Sequence, residues 1–63
     1  MPSNYFTLAH QLQQKGKEEK SINAYYQAIE INPRFSWSYH YLGTIFTKLG
    51  RLEEAVQAYS QAI

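Results

Sequence analysis

Residues 39–62 read YHYLGTIFTKLGRLEEAVQAYSQA, and a related stretch precedes them, in which residues 5–28 read YFTLAHQLQQKGKEEKSINAYYQA. The two stretches are offset by 34 residues. When residues 1–29 are aligned with residues 35–63, nine pairs are identical, and they are apolar, small, polar or turn-forming: Tyr5/Tyr39, Leu8/Leu42, Gly16/Gly50, Glu19/Glu53, Ala24/Ala58, Tyr25/Tyr59, Gln27/Gln61, Ala28/Ala62 and Ile29/Ile63. A period of this length indicates one supersecondary unit used twice, each copy burying its apolar face on its neighbour.

The apolar residues within each copy recur at three- and four-residue steps, which is typical of a helix with one buried face. They are Leu8, Leu12, Leu42, Ile45, Phe46 and Leu49. No stretch alternates at period two, so we expect no strands. The pattern predicts helices at residues 3–15, 18–31, 36–49 and 52–63.

Residues that start or stop helices lie at the ends of these segments. Gly16 and Gly50 each follow a helical stretch, where a left-handed C-cap favours glycine. Ser3 and Ser36 precede apolar-periodic stretches and are predicted to be N-caps. Pro33 is predicted to end the second helix because it removes a backbone donor and disfavours helical geometry at the preceding residue.

Small residues also recur, and they predict where paired helices approach each other closely. The pairs are Ala9/Gly43, Ala24/Ala58 and Ala28/Ala62, with the rings of Tyr5/Tyr39 and Tyr25/Tyr59 expected to fill the space beside them. A glycine inside a helix costs about 0.5–1 kcal/mol relative to alanine. We therefore expect Gly43 to be present for packing.

The second copy contains Tyr39-x-x-Leu42-Gly43-x-x-Phe46 and then Ala55-x-x-x-Tyr59-x-x-Ala62, and Pro33 follows the first copy. This resembles the tetratricopeptide repeat. The first copy departs from the repeat at Ser21, usually Ala, and at Leu12, usually aromatic, which predicts looser packing there. The resemblance implies an all-α fold, an α-α superhelix of two helical hairpins. It further implies one domain over residues 1–63, with repeats at 2–35 and 36–63, the second truncated.

In this family the first helices of the repeats line a concave groove that binds a partner protein or peptide. The resemblance places eight residues there: Phe6, His10, Gln13, Trp37, His40, Tyr41, Thr44 and Lys48. Exposed aromatic side chains beside a few polar groups are typical of protein-recognition surfaces. Members that hold the C-terminal carboxylate of chaperones have Lys, Asn and Asn where this chain has Phe6, His10 and Tyr41, so a carboxylate clamp is not expected.

The two ends of the chain differ in polarity. Gln11, Lys15 and Glu18 stand where the second copy has Ile45, Leu49 and Leu52, which predicts that the first copy is an N-terminal cap and that the second meets a preceding neighbour. The last helix has an apolar stripe, at Leu52, Val56, Tyr59 and Ile63. We therefore expect either a fragment of a longer protein or a homodimer through the C-terminal helix.

Composition argues against several other functions. The chain has no cysteine and no aspartate, so a thiol nucleophile, a Ser-His-Asp triad and disulfides are all excluded. The four glutamates at the starts of the second helices of the two hairpins meet the positive helix end, which is a simpler account of them than acid–base catalysis. His10 and His40 alone make a poor metal site. We expect no enzyme activity, cofactor or metal.

Location and partners follow from the same composition. No stretch approaches the length of a membrane span, and no signal peptide is recognisable, so we expect a cytoplasmic protein without a membrane partner. The net charge is +1, and the basic residues are scattered, which argues against a nucleic-acid partner. The alternative to a protein-interaction module is an accessory repeat segment of a larger enzyme such as a glycosyltransferase. A catalytic domain in the same reading frame would favour that alternative.

Overall fold

The computed structural model describes residues 4–62, and within them four helices follow one another without a strand. Helix α1 spans Tyr5–Gln14, α2 spans Glu18–Ile31, α3 spans Ser36–Lys48 and α4 spans Leu52–Ala62. Each helix packs on the next in the chain, so α1–α2 and α3–α4 form two hairpins joined by the contact of α2 with α3. The all-α prediction is confirmed. None of the described helices is long and apolar enough to cross a membrane.

Helix ends agree with the sequence at the glycines and differ at the serines. Gly16 and Gly50 have φ angles of +79° and +77°, the left-handed conformation predicted for them. The N-cap of α1 is Asn4, whose side chain accepts from the backbone N–H of Thr7 at 3.1 Å, while Ser3 lies outside the described residues. Ser36 is the first residue of α3 and not its cap. Phe35 is the N-cap and makes no side-chain capping bond.

The core lies within and between the two hairpins and contains five of the six predicted small residues. Ala9, Ala24, Ala28, Gly43 and Ala58 are buried, whereas Ala62, the last residue of α4, is only partly buried. A Cβ atom added at Gly43 would lie 2.7 Å from the ring of Tyr59, so α3 and α4 approach too closely there for a larger residue. The prediction that Gly43 serves packing is confirmed.

Ser21 joins the helices of the first hairpin. Its hydroxyl is fully buried and donates to the carbonyl oxygen of Ala9 at 2.7 Å. At the position where looser packing is expected, a buried hydrogen bond thus joins α1 and α2. The looser packing itself stays a prediction. The equivalent residue in the second hairpin is Ala55, which is also buried.

The apolar stripe predicted for the first helix of each hairpin is only partly buried. Leu42, Ile45 and Phe46 are in the core, and Leu12 packs against it. Leu8 and Leu49 are exposed. Leu8 is exposed because no described helix covers its side of α1, whereas α2 covers the equivalent side of α3. Leu49 is exposed because it is the C-cap of α3 and lies at the end of that helix.

The expectation that the apolar residues Ile45, Leu49 and Leu52 of the second repeat meet a preceding neighbour is also only partly right. Ile45 is buried, as a residue that meets a preceding neighbour should be. Leu52, at the start of α4, is exposed and does not meet the first hairpin, so that expectation is wrong. Of the corresponding polar positions of the first repeat, Gln11 and Lys15 are exposed, whereas Glu18 is partly buried against Lys48 of the second repeat.

Leu42→Ala should destabilise the protein by about 2–5 kcal/mol, because it removes a fully buried side chain and leaves a cavity. The matched control is Leu8→Ala, the same substitution at the equivalent position of the first repeat, where the side chain is 43% exposed. Urea denaturation followed by circular dichroism measures both. Equal losses of stability for the two variants would contradict this assignment of the core.

Candidate functional site

Eight rings form a continuous group along α1, α3 and the residues beside them, here termed the aromatic cluster: Phe6, His10, Tyr25, Phe35, Trp37, His40, Tyr41 and Tyr59. Tyr41 is its centre. The centroid of its ring lies between 5.1 and 6.0 Å from those of five others, namely Phe6, His10, Tyr25, Trp37 and His40. The inter-hairpin contact is therefore largely aromatic on this side.

Tyr25 forms the floor of the aromatic cluster. It is fully buried, and its ring stacks on that of Tyr41 with an angle of 12° between the planes. Its hydroxyl donates to the side-chain oxygen of Gln13 at 2.8 Å. Burial raises the pKa of the Tyr25 hydroxyl, and the neighbouring Tyr41 raises this pKa further. Tyr25 is therefore neutral and fixes both the ring of Tyr41 and the amide of Gln13.

Trp37 forms an accessible part of the aromatic cluster. Its side chain lies one helical turn before Tyr41, 6.0 Å from that ring between centroids, and Trp37 is 54% exposed. His40 is also exposed and lies edge-on to Trp37 and to Tyr59. Large aromatic residues that are held on one side and open to solvent on the other are suited to contact a partner.

Phe6 and His10 are the two residues of α1 that belong to the aromatic cluster. The ring of Phe6 makes edge contacts with Tyr25 and Phe35, at 5.8 and 4.9 Å. The Nε2 atom of His10 lies 3.3 Å from the side-chain nitrogen of Gln14, and its Nδ1 atom is buried without a hydrogen-bond partner among the described residues. Phe6 is thus partly core, whereas His10 keeps a free polar atom beside Tyr41.

The remaining predicted residues, Thr44 and Lys48, have different surroundings. The hydroxyl of Thr44 lies 3.2 Å from the hydroxyl of Tyr59 and donates to the carbonyl of His40. Lys48 does not join the rings, because its ammonium group pairs with the carboxylate of Glu18 at 3.1 Å. The structure therefore brings together seven of the eight predicted residues and places the eighth in an ion pair near the turns.

Three members of the aromatic cluster were not predicted as site residues. Tyr25 and Tyr59 were assigned to the core, which is correct for Tyr25, whereas Tyr59 is 37% exposed. Phe35 was not singled out, although its position two residues after Pro33 and directly before α3 marks it as the point where the chain turns toward α1. The offsets of the repeat do not include this linker position.

The ion pairs of the described residues lie at the other end of the hairpins. Arg51 binds both carboxylate oxygens of Glu54, at 2.8 and 2.9 Å, and reaches Glu19 of the first hairpin at 3.2 Å. Its guanidinium also lies over the ring of Phe46. The hydrogen bond from Arg51 lowers the pKa of the Glu54 carboxyl, and Lys48 likewise lowers the pKa of the Glu18 carboxyl. The pairs of Glu18 with Lys48 and of Glu19 with Arg51 link the two repeats, whereas the pair of Glu54 with Arg51 lies within the second repeat.

The described residues offer no cluster of three or more side chains suited to hold a metal ion. A shallow, open cavity of about 400 Å³ lies between the α1–α2 turn and Leu49. Its wall is formed by the backbone turn at Gly16, by Lys17 and Lys20, and by Glu18 and Glu19, whose carboxylates are already held in ion pairs. The aromatic cluster remains the better candidate site, since it combines exposed rings with fixed geometry.

Comparison with known proteins gives the chain two matches. Residues 2–35 and residues 24–57 each match a family model described as tetratricopeptide repeat. Together the two matches cover α1, α2, α3 and the first half of α4. No curated protein matches the chain.

The ion pair of Glu54 should make stability depend on pH. Because Arg51 holds the pKa of the Glu54 carboxyl below its ordinary value of 4.5, the pair stabilises the folded protein at neutral pH, and this stabilisation is lost as the pH falls through the lowered pKa. Glu54→Gln should therefore lower the melting temperature at pH 7 more than Glu53→Gln does. Thermal melts at pH 7 and pH 3 measure this difference.

Glu53 is the matched control because it lies beside Glu54 in the first turn of α4 and forms no ion pair among the described residues. Both variants lose the same interaction with the helix end. The difference between the two variants should shrink as the pH falls from 7 to 3. A difference between them that is as large at pH 3 as at pH 7 would contradict the role given to Arg51.

Proposed function

We propose that this chain, which belongs to the tetratricopeptide-repeat family, binds a protein or peptide partner through the aromatic cluster and catalyses no reaction itself. Tetratricopeptide repeats are in general protein-interaction modules, and the family is typically non-catalytic. The observation that carries the proposal is Trp37, a large side chain that is 54% exposed although it contacts Tyr41 and His40.

Two further features support this site. The rings beneath Trp37 are fixed by contacts with one another, so binding would order few side chains and would lose little entropy. The surface also joins both repeats, since Phe6 and His10 come from α1, whereas Trp37 and Tyr41 come from α3. A partner laid across the cluster would contact both hairpins at once.

Trp37→Ala should weaken partner binding by about tenfold or more, since exposed aromatic residues at the centre of an interface commonly contribute about 2 kcal/mol. Peptides selected from a random displayed library against the wild-type chain serve as probes, and their affinities are measured by titration calorimetry. Helix content by circular dichroism should stay unchanged.

The matched control is Tyr26→Ala, which removes another exposed aromatic residue, 48% accessible, that lies on α2 outside the aromatic cluster. This variant should bind the selected peptides with wild-type affinity. Failure to select any peptide, or peptides that bind Trp37→Ala as tightly as the wild type, would refute the proposal.

A second surface supports a further proposal, that two copies associate through α4. The two repeats provide an internal comparison. Ile22 on α2 is 6% exposed because α3 covers it, whereas Val56 at the equivalent position of α4 is 64% exposed. Leu52 and Tyr59 extend this apolar surface, and Ile63 lies outside the described residues. A second copy of α4, related by a two-fold axis, has matching apolar residues to cover it.

Leu52→Lys combined with Val56→Lys should abolish association, because two lysines would face two lysines across the two-fold axis. Sedimentation velocity over a hundredfold range of concentration measures the oligomeric state. The charge-matched control carries Asn23→Lys and Gln27→Lys, two exposed positions of α2. A wild-type chain that stays monomeric throughout this range would contradict the proposal.

A further inference from the structure

The rings around Trp37 provide no charged group that could pair with a charged ligand. The five rings that contact Tyr41 belong to uncharged side chains when histidine is neutral. Lys48 is the single charged residue among the eight predicted for the groove, and Glu18 neutralises it at 3.1 Å. The one cation beside the rings in sequence is the exposed Arg34, directly before Phe35. Over the rings themselves a charged peptide would lose hydration without gaining an ion pair, so they favour an uncharged segment.

The aromatic cluster does offer free hydrogen-bond donors beside apolar ring faces. Among the described residues, the indole N–H of Trp37 and the hydroxyl of Tyr41 have no protein acceptor, whereas the hydroxyl of Tyr25 is already bound to Gln13. A ligand that matches this surface must present carbonyl oxygens that are not bonded internally. A helix does not fit this requirement, because its carbonyls accept from its own backbone.

A polyproline II segment fits these requirements. It has three residues per turn, no internal hydrogen bonds and solvated carbonyls, and its stiffness lowers the entropy lost on binding. Proline rings are apolar and pack on the faces of aromatic residues, and grooves lined by such residues recognise proline-rich peptides in unrelated folds. We propose that the aromatic cluster binds an uncharged, proline-containing segment of its partner in the polyproline II conformation, an inference that rests on the proposed function.

The arrangement of the rings indicates how such a segment would lie. Trp37 and Tyr41 are one helical turn apart, with ring centroids 6.0 Å apart and planes tilted by 33°, so a proline ring would pack on the exposed ring of Trp37 beside the partly buried Tyr41. The indole N–H of Trp37 and the Tyr41 hydroxyl are the donors that would bind backbone carbonyls of the segment. Trp37 supplies both a ring face and a donor, which makes its two contributions separable by substitution.

The test uses an acetylated and amidated octaproline peptide as the probe. Trp37 is the single tryptophan of the chain, so its fluorescence reports directly on this site. Octaproline should bind at least tenfold more tightly than a peptide of equal length made of alternating Gly and Ser, which is flexible. Raising the salt concentration should leave the affinity unchanged, because no ion pair forms.

Variants separate the two contributions of Trp37 and are measured by titration calorimetry. Trp37→Phe keeps a ring but loses the N–H donor, and it should weaken octaproline binding less than Trp37→Ala, which loses both. Lys48→Ala, away from the rings, should bind as the wild type does. His40→Ala changes a second exposed position of the aromatic cluster and should also weaken octaproline binding. It replaces Trp37→Ala as the test variant where circular dichroism shows that Trp37→Ala alters the fold.

Other results would overturn the inference in distinguishable ways. Octaproline that binds no better than the Gly-Ser peptide, or a preference for an acidic or an amphipathic helical peptide, refutes the polyproline II segment. If peptides selected from the library still bind in a Trp37-dependent manner, the proposed function stands although the polyproline II inference fails. If they do not bind through Trp37, both proposals fail together.

Discussion

The close approach of the two helices within each hairpin is the constraint on which the rest of the structure depends. In the second hairpin, Gly43 leaves no space for even a methyl group before the ring of Tyr59. In the first hairpin, Ala9 is fully buried, and its carbonyl oxygen accepts from Ser21 at 2.7 Å. Larger residues at Ala9 or Gly43 would separate the helices and displace the rings that pack beside them.

This packing explains how a small chain holds large aromatic residues in fixed positions. With α1 and α2 in close contact, the Tyr25 ring is fully buried and its hydroxyl reaches Gln13. Tyr41 then stacks on Tyr25 from the second hairpin, which fixes the orientation of α3 relative to the first repeat. Trp37 lies one turn earlier on α3, where its ring adjoins Tyr41 at 6.0 Å and is 54% exposed.

The fold could be predicted from the sequence because its main signals are local and repeated. The spacing of apolar residues, the two left-handed glycines and the small residues at equivalent positions all recur at the same offset. Errors arose where a residue's surroundings depend on what lies beside the helix. Leu8 and Leu42 occupy equivalent positions, yet one is 43% exposed and the other fully buried, because only α3 has a described helix on that side.

The candidate site was less predictable for a related reason. Offsets within a repeat place Trp37 and Tyr41 on α3, but they carry no information about contacts between side chains that are distant in sequence. The ion pair of Lys48 with Glu18 joins residues 30 positions apart and removes a charge that the offsets had assigned to the groove. Phe35 belongs to the linker between repeats, where the pattern is weakest, and its place against Phe6 follows from the turn after Pro33.

The same residue type therefore has different roles in the two repeats. Tyr25 and Tyr59 are equivalent in sequence, and both have a hydroxyl that reaches a polar side chain of the preceding helix, Gln13 or Thr44. Tyr25 is covered by the second hairpin and supports Tyr41, whereas Tyr59 is 37% exposed and borders both His40 and the apolar surface of α4. Any helix or second copy that covered α4 would bury Tyr59 as α3 buries Tyr25. Because the ring of Tyr59 contacts His40, which contacts Trp37, such a contact would also order the exposed edge of the aromatic cluster.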